Sequence, residues 1–177
     1  MSLDVYLYEA NEELAPVELC LECSAMPDGH EPDHRHRSCV FSQNITHNLG
    51  SMATAAGIYE ACWHPEELLD KEAAFEIRRL EDAYFSDQKP ENRHYYDQAQ
   101  DMRDALEAKV RAHHLIQVLR DGIAKLKADP ETYKKYEPPP DPATGQPWGQ
   151  LKHFVPWLEK YLAACEEHPD ALVRVSR

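Results

Sequence analysis

Leu3, Val5 and Leu7 alternate with Asp4, Tyr6 and Tyr8, the period-two pattern of a strand with one buried face. A second alternation at Val17, Leu19 and Leu21 and a short apolar run at Cys39, Val40 and Phe41 predict two more strands. Between these two runs, Ser24 to Ser38 is polar and carries Pro27, Gly29 and Pro32, which marks an irregular finger. At the far end Leu172, Val173 and Val175 again suit a strand, and its natural place is beside the N-terminal ones.

Between the strands the pattern turns helical. Ile45, Leu49, Met52 and Ala56 make one apolar stripe, which predicts a helix from Asn44 to about Ala56, capped by Asn44 or Thr46 and ended by Gly57. A second helix is expected from about Pro65, a residue suited to a first helical position, through Leu68, Leu69, Ala73, Ile77 and Leu80 to near Tyr84. After a polar break around Pro90, an amphipathic stretch carries Met102, Leu106, Val110, Leu115, Leu119, Ile123 and Leu126 until Asp129 and Pro130 stop it. It reads as one helix, or as two hinged near His113 and His114. A turn around Tyr133 then leads into the proline-rich loop Glu137 to Pro142, and a last helix from about Pro156 buries Leu158, Tyr161, Leu162 and Cys165.

These elements predict a single α+β domain over residues 1–177. Its small antiparallel sheet, formed by the N- and C-terminal strands, packs against three to five helices, with a His/Cys-rich finger at 20–39 and a helical insertion at 84–110. Charge narrows the function classes. With 32 acidic against 19 basic side chains the formal charge is −13, a field that repels phosphate backbones and makes direct nucleic-acid binding an unfavoured role. No run approaches the ~18 apolar residues of a membrane span. The start, MSLDVYLYEA, lacks the basic and apolar regions of a signal peptide, so the expected location is cytoplasmic. Only 6 glycines are present, and no glycine-rich phosphate loop, nucleophile elbow or helical HExxH occurs.

The 5 cysteines are an odd number without even spacing, which disfavours a disulfide framework; Cys62 and Cys165 sit in apolar helical patterns as buried thiols. Cys20, Cys23 and Cys39, with His30, His34 and His36 between them, form a set with metal-ligand chemistry. Two cysteines separated by two residues can turn both sulfurs toward one zinc ion, and Cys39 with His36, or His34 in its place, would complete a tetrahedron. The competing reading is a strand on which Cys20 and Cys23 face opposite sides, beside a solvated histidine-rich loop. The adjacent pair His113-His114 is no such site, because neighbours on a helix point about 100° apart.

Asn44, His47, Asn48 and Ser51 fall at helical spacing on a polar stripe beside the apolar one. At a helix start, free N–H groups favour an anion, and His47 could donate to it, act as a base or bind a metal. The bland reading has Asn44 capping, Asn48 solvated and His47 bonded to a neighbouring carbonyl.

The run N-I-T-H-N-L-G, continued as M-A-x-x-A-G-I-Y-E-A, is followed by W-x-P-E-E, K-L-K-A-D-P-E-x-Y-K, W-G, F-V-x-x-L-E-K-Y-L-A-A-C and a terminal V-S-R. Across these blocks the chain resembles a family of small uncharacterised proteins encoded by bacteriophages and prophages. The resemblance covers residues 1–8 and about 40–177, with about 84–110 standing as an insertion. It implies a protein made in an infected bacterial cell, with Asn44, Thr46, His47 and Asn48 as the polar members of a shared motif, Asp4 in the N-terminal L-D-V and Trp148 in the W-G block. It also implies that a metal finger here is structural. The function expected is a phage-encoded binding protein acting on a host or host-defence component, through a protein surface or a small anionic ligand. The alternative is a metal-dependent hydrolase or nucleotide-processing enzyme using His47 and Asp4. The zinc reading predicts about one zinc per chain on elemental analysis of protein purified without added metal. A content near zero would leave the strand reading in its place.

Overall fold

Alternation in strand β1 (Ser2–Glu9) buries Leu3, Val5 and Leu7 completely and leaves Asp4, Tyr6 and Tyr8 on the opposite face. The computed structural model describes residues 2–9, 38–86, 89–140, 142, 145 and 149–176. Strands β2 (Ser38–Thr46) and β3 (Leu172–Ser176) both run antiparallel to β1, in the order β2-β1-β3. The register sets Leu3 opposite Ile45, Val5 between Gln43 and Val175, and Leu7 between Phe41 and Val173, so all three strands turn the same face inward. A register shift after Leu7 brings Cys39 opposite Tyr8.

Seven α-helical segments among the described residues follow: α1 (Gly50–Ala56), α2 (Tyr59–Trp63), α3 (Lys71–Phe85), α4 (Arg93–Glu107), α5 (His113–Ala128), α6 (Pro130–Lys134) and α7 (Leu151–Glu167). A sheet of terminal strands backed by several helices is the α+β class that the hydrophobic pattern predicts. Gly57 ends α1 as expected: at φ 76° it takes the left-handed conformation, and its N–H donates back to the carbonyls of Ala53 and Thr54. The long amphipathic stretch is two helices, parted at residues 108–112. This link lies along the entry to β3, with Ala112 N–H donating to Ala171, His113 N–H to Pro169, and Val173 N–H to Val110. The predicted strand at Val17, Leu19 and Leu21 and most of the finger, including Cys20, Cys23, His34 and His36, lie outside the described residues.

Three boundaries differ from those expected. The helix predicted from Asn44 starts at Gly50, because Asn44, Ile45 and Thr46 belong to β2 and a 3-10 turn (His47–Leu49) intervenes. Ile45 is the last inward residue of the strand, opposite Leu3; its four-residue offset from Leu49 imitates a helical stripe. The helix expected from Pro65 is a 3-10 turn (Pro65–Leu68), after which Asp70 caps α3 by accepting from Ala73 N–H at 2.9 Å. The last helix begins at Leu151, five residues before Pro156. Pro156 is an exposed interior residue of it, and Leu151 and Phe154 before the proline are already buried.

The main core lies between the inner sheet face and α1, α5 and α7. On α7, Phe154, Trp157, Leu158, Tyr161 and Cys165 are buried, and Tyr161 stacks on Phe41 of β2 with ring centroids 5.9 Å apart. Helices α3 and α4 form an arm with a smaller cluster of its own: Ile77, Leu80 and Ala99, flanked by Tyr95, Met102 and Leu106. Residues 84–110 thus span the end of α3, the turn, α4 and the link to Val110, which is buried in the main core. Charges clamp the arm to the body. Arg103 of α4 reaches the buried Glu66 at 3.6 Å, Arg78 of α3 holds Glu67, and Arg174 of β3 holds Glu107 at 3.2 Å, while Arg103 also ties α4 to α3 through Glu81 at 2.6 Å.

One close approach fixes how α5 meets the corner between α1 and α2. A Cβ built on Gly122 would stand 1.9 Å from Ile58 Cγ2, and Ile58 is fully buried. Gly122→Ala gains about 1 kcal/mol of helix propensity, but overpacking a buried contact costs about 1–3 kcal/mol. The expected outcome in thermal unfolding is a Tm several degrees lower. In an Ile58→Ala background, where the clashing methyl is gone, Gly122→Ala should instead raise Tm.

Candidate functional site

The residues singled out in the sequence fall into two separate pairs. Asp4 and Asn44 face each other across β1 and β2, and Asn44 Nδ2 donates to Asp4 Oδ1 at 2.6 Å on the outer face of the sheet. Asn48, beyond the strand end, meets the glycine of the W-G block: a Cβ on Gly149 would stand 3.1 Å from Asn48 Cβ and 3.2 Å from its carbonyl oxygen. Gly149, at φ 70°, needs that freedom to pass so close. Asn44 therefore belongs to a sheet face and Asn48 to a loop contact, so the helix-start stripe of Asn44, His47, Asn48 and Ser51 is not formed. The backbone of Thr46 ends β2 and that of His47 opens the following turn; their side chains, and Trp148, lie outside the described residues.

Cys39, the one zinc candidate that is described, has its thiol donating to the carbonyl of Phe41 at 3.3 Å, and burial raises its pKa. Among the described residues no group of three or more His, Cys, Asp or Glu side chains could hold a metal ion. Cys62 and Cys165 are the buried thiols expected: burial, followed by the charge of Glu166, pushes Cys165 up to about 12. His113 and His114 fasten the link before α5. His113 Nδ1 lies 2.9 Å from the Pro169 carbonyl, and His114 Nδ1 accepts from Arg111 N–H at 3.0 Å. Desolvation, then the charges of His113 and Arg111, lowers the His114 pKa, which keeps that nitrogen an acceptor.

A cavity of about 510 Å³ lies between the end of α5, α6 and the start of α7. Leu126, Pro130, Leu151, Val155 and Pro156 give it an apolar lining, and Lys127, Lys134, Lys152, Glu137 and Gln150 line it as well. Each wall has a local cause. Asp129 stops α5, and its carboxylate accepts from Thr132 N–H at 3.2 Å, which starts α6 at Pro130. Gln150, at the start of α7, gives no side-chain cap. Glu137 supplies one from the proline-rich loop, its Oε1 accepting from Leu151 N–H at 2.9 Å.

The lysines of this lining are what suits a ligand. Among the lysines, Lys127 pairs with Glu159 at 2.9 Å and Lys134 with Glu131 at 2.6 Å, the latter bond raising the Lys134 pKa. All four of these partners are exposed, so the pairs are worth little and give way to a better anion. A cavity of this size, lined by apolar side chains and lysines, can hold an anion with a hydrocarbon or aromatic body. Sequence reasoning missed it because its lysines come from three elements that no spacing rule connects. The blocks K-L-K-A-D-P-E-x-Y-K (125–134) and F-V-x-x-L-E-K-Y-L-A-A-C (154–165) nonetheless supply much of its walls. No helix among the described residues is long and apolar enough to cross a membrane. No family model, curated protein or solved structure matches the chain.

Proposed function

We propose that this chain is a binding protein that takes a small anion with an apolar body in the groove between α5, α6 and α7. In the setting implied by the phage-family resemblance, it acts in an infected bacterial cell on a host or host-defence component. The observation that carries the reading is the concentration of Lys127, Lys134 and Lys152 around one apolar-lined cavity, on a chain whose formal charge is −13. Against such a background a free anion is repelled almost everywhere, and an anion entering here meets Lys152 together with two lysines whose exposed carboxylate pairs it can replace. The apolar lining contributes affinity in proportion to the apolar area that the ligand covers, and the lysines contribute orientation and encounter rate. Glu137 lines the same cavity and disfavours a highly charged ligand, which points to a single carboxylate, sulfonate or phosphate monoester head.

Decanoate and 8-anilinonaphthalene-1-sulfonate have this chemistry and serve as probes. The wild-type protein should bind both saturably with one site, more weakly as salt rises. Reversing Lys134 and Lys152 together to Glu should weaken binding about tenfold or more, and Val155→Asp should abolish it. Because the two lysines are exposed, their reversal should leave the thermal unfolding curve nearly in place. Binding that ignores both changes, or no saturable binding by the wild type, would contradict the reading.

A further inference from the structure

A second cavity, of about 450 Å³, opens where the turn Pro65–Leu68 meets α3. Leu68, Ala74 and Phe75 form the apolar part of its lining, and Glu60, Lys71 and the bonded pair Arg78–Glu67 line it as well. Phe75 is 71% exposed and Phe85 is 53% exposed; they are the exposed large hydrophobic side chains among the described residues, and both are on α3. An aromatic ring standing in water beside an apolar hollow is the arrangement of an anchor and a receptor on one face. A single copy cannot join them, because the ring already lines the hollow.

We propose that this face of α3 is a self-complementary docking surface for a second copy of the chain, related by a two-fold axis, with each Phe75 entering the cavity of the other copy. A two-fold interface requires that every contact from residue i to residue j be matched by one from j to i, so knob and hole must share one patch, as they do here. The charges obey the same rule. Among the described residues neither Lys71 nor Glu60 forms an ion pair within the chain, and in a two-fold pair Lys71 of one copy can face Glu60 of the other, twice. The cavity lining holds Glu60 and Glu67 against Lys71 and Arg78, so the patch is neutral. Two copies of −13 repel over most of their surfaces, and a neutral face is where they can approach. The arm also has something to gain, since its own buried cluster is only Ile77, Leu80 and Ala99, and α3 runs ~22 Å, long enough to present Phe75 together with the charges around it.

Sedimentation equilibrium of the full chain from about 1 to about 500 µM tests this. The wild type should show a monomer–dimer equilibrium, and Phe75→Asp should remain monomeric with an unchanged circular dichroism spectrum, since the ring is exposed. Lys71→Glu and Glu60→Lys should each weaken the dimer about tenfold or more. The double variant should recover much of that loss, because swapped charges still meet across a two-fold axis. The proposal is overturned if the wild type is monomeric throughout, which would leave the face to a different protein. It is equally overturned if Phe75→Asp leaves the dimer intact, or if the double variant associates no better than the single ones.

Discussion

Leu3, Val5 and Leu7 are the residues on which the rest of the molecule depends. They lie on the central strand, fully buried, and each is flanked by partners from β2, β3 or both, about forty and about one hundred and seventy residues further along the chain. Neither flanking strand would hold its place without β1, because β2 and β3 do not touch each other in the sheet. Once β1 is in place the inner face of the sheet is complete, and α7 can lay Tyr161 against Phe41 and bury Phe154 and Trp157 beside it. The same helix then presents Leu151, Lys152, Val155 and Pro156 to the groove. The groove is therefore a consequence of how the chain ends are joined, at one remove.

The core carries a cost that the packing of α7 must offset. Among the described residues, Tyr161 Oη and Trp157 Nε1 are buried without hydrogen-bond partners, and so is Gln43 Oε1 on the inner face of β2. Each such group forfeits about 1–3 kcal/mol of hydration, whereas a buried aromatic ring contributes a comparable or larger amount through the area it removes from water. The burial of the Tyr161 ring also drives its hydroxyl pKa well above the ordinary value. At the arm the balance is different. Its apolar cluster is small, and charged contacts through Arg78, Arg103 and Arg174 hold it to the body.

Much of this fold was legible in the sequence, and the exceptions have physical reasons. Strict alternation around Leu3 and around Val173 identified β1 and β3, and Gly57 and Asp129-Pro130 ended helices where they should, because these signals are local. The start of α1 was misplaced because Ile45 closes a strand and Leu49 follows four residues later, so one apolar series serves two periods. The start of α7 was misplaced because a proline suits a first turn; here Pro156 lies on the exposed side, where Lys152 is also exposed and the carbonyl left without a donor can face water. Of the candidate site, the sequence named Asp4, Asn44 and Asn48 but set Asn44 and Asn48 on one helix-start stripe, whereas Asn44 bonds Asp4 across two strands and Asn48 lies against Gly149. Nor could it bring Lys127, Lys134 and Lys152 to one cavity, since they come from three helices whose packing no local spacing encodes.

In the proposed function the ligand binds in the α5–α6–α7 groove and not on the outer sheet face around Asp4 and Asn44. An amide-resolved NMR titration of the whole chain with decanoate distinguishes the two surfaces. The largest saturable shift changes should fall on Lys127, Lys134, Gln150, Leu151, Lys152 and Val155, while Asp4, Asn44 and the arm stay in place. Shifts concentrated at Asp4 and Asn44, or scattered without saturation, would mean that the groove is not the site.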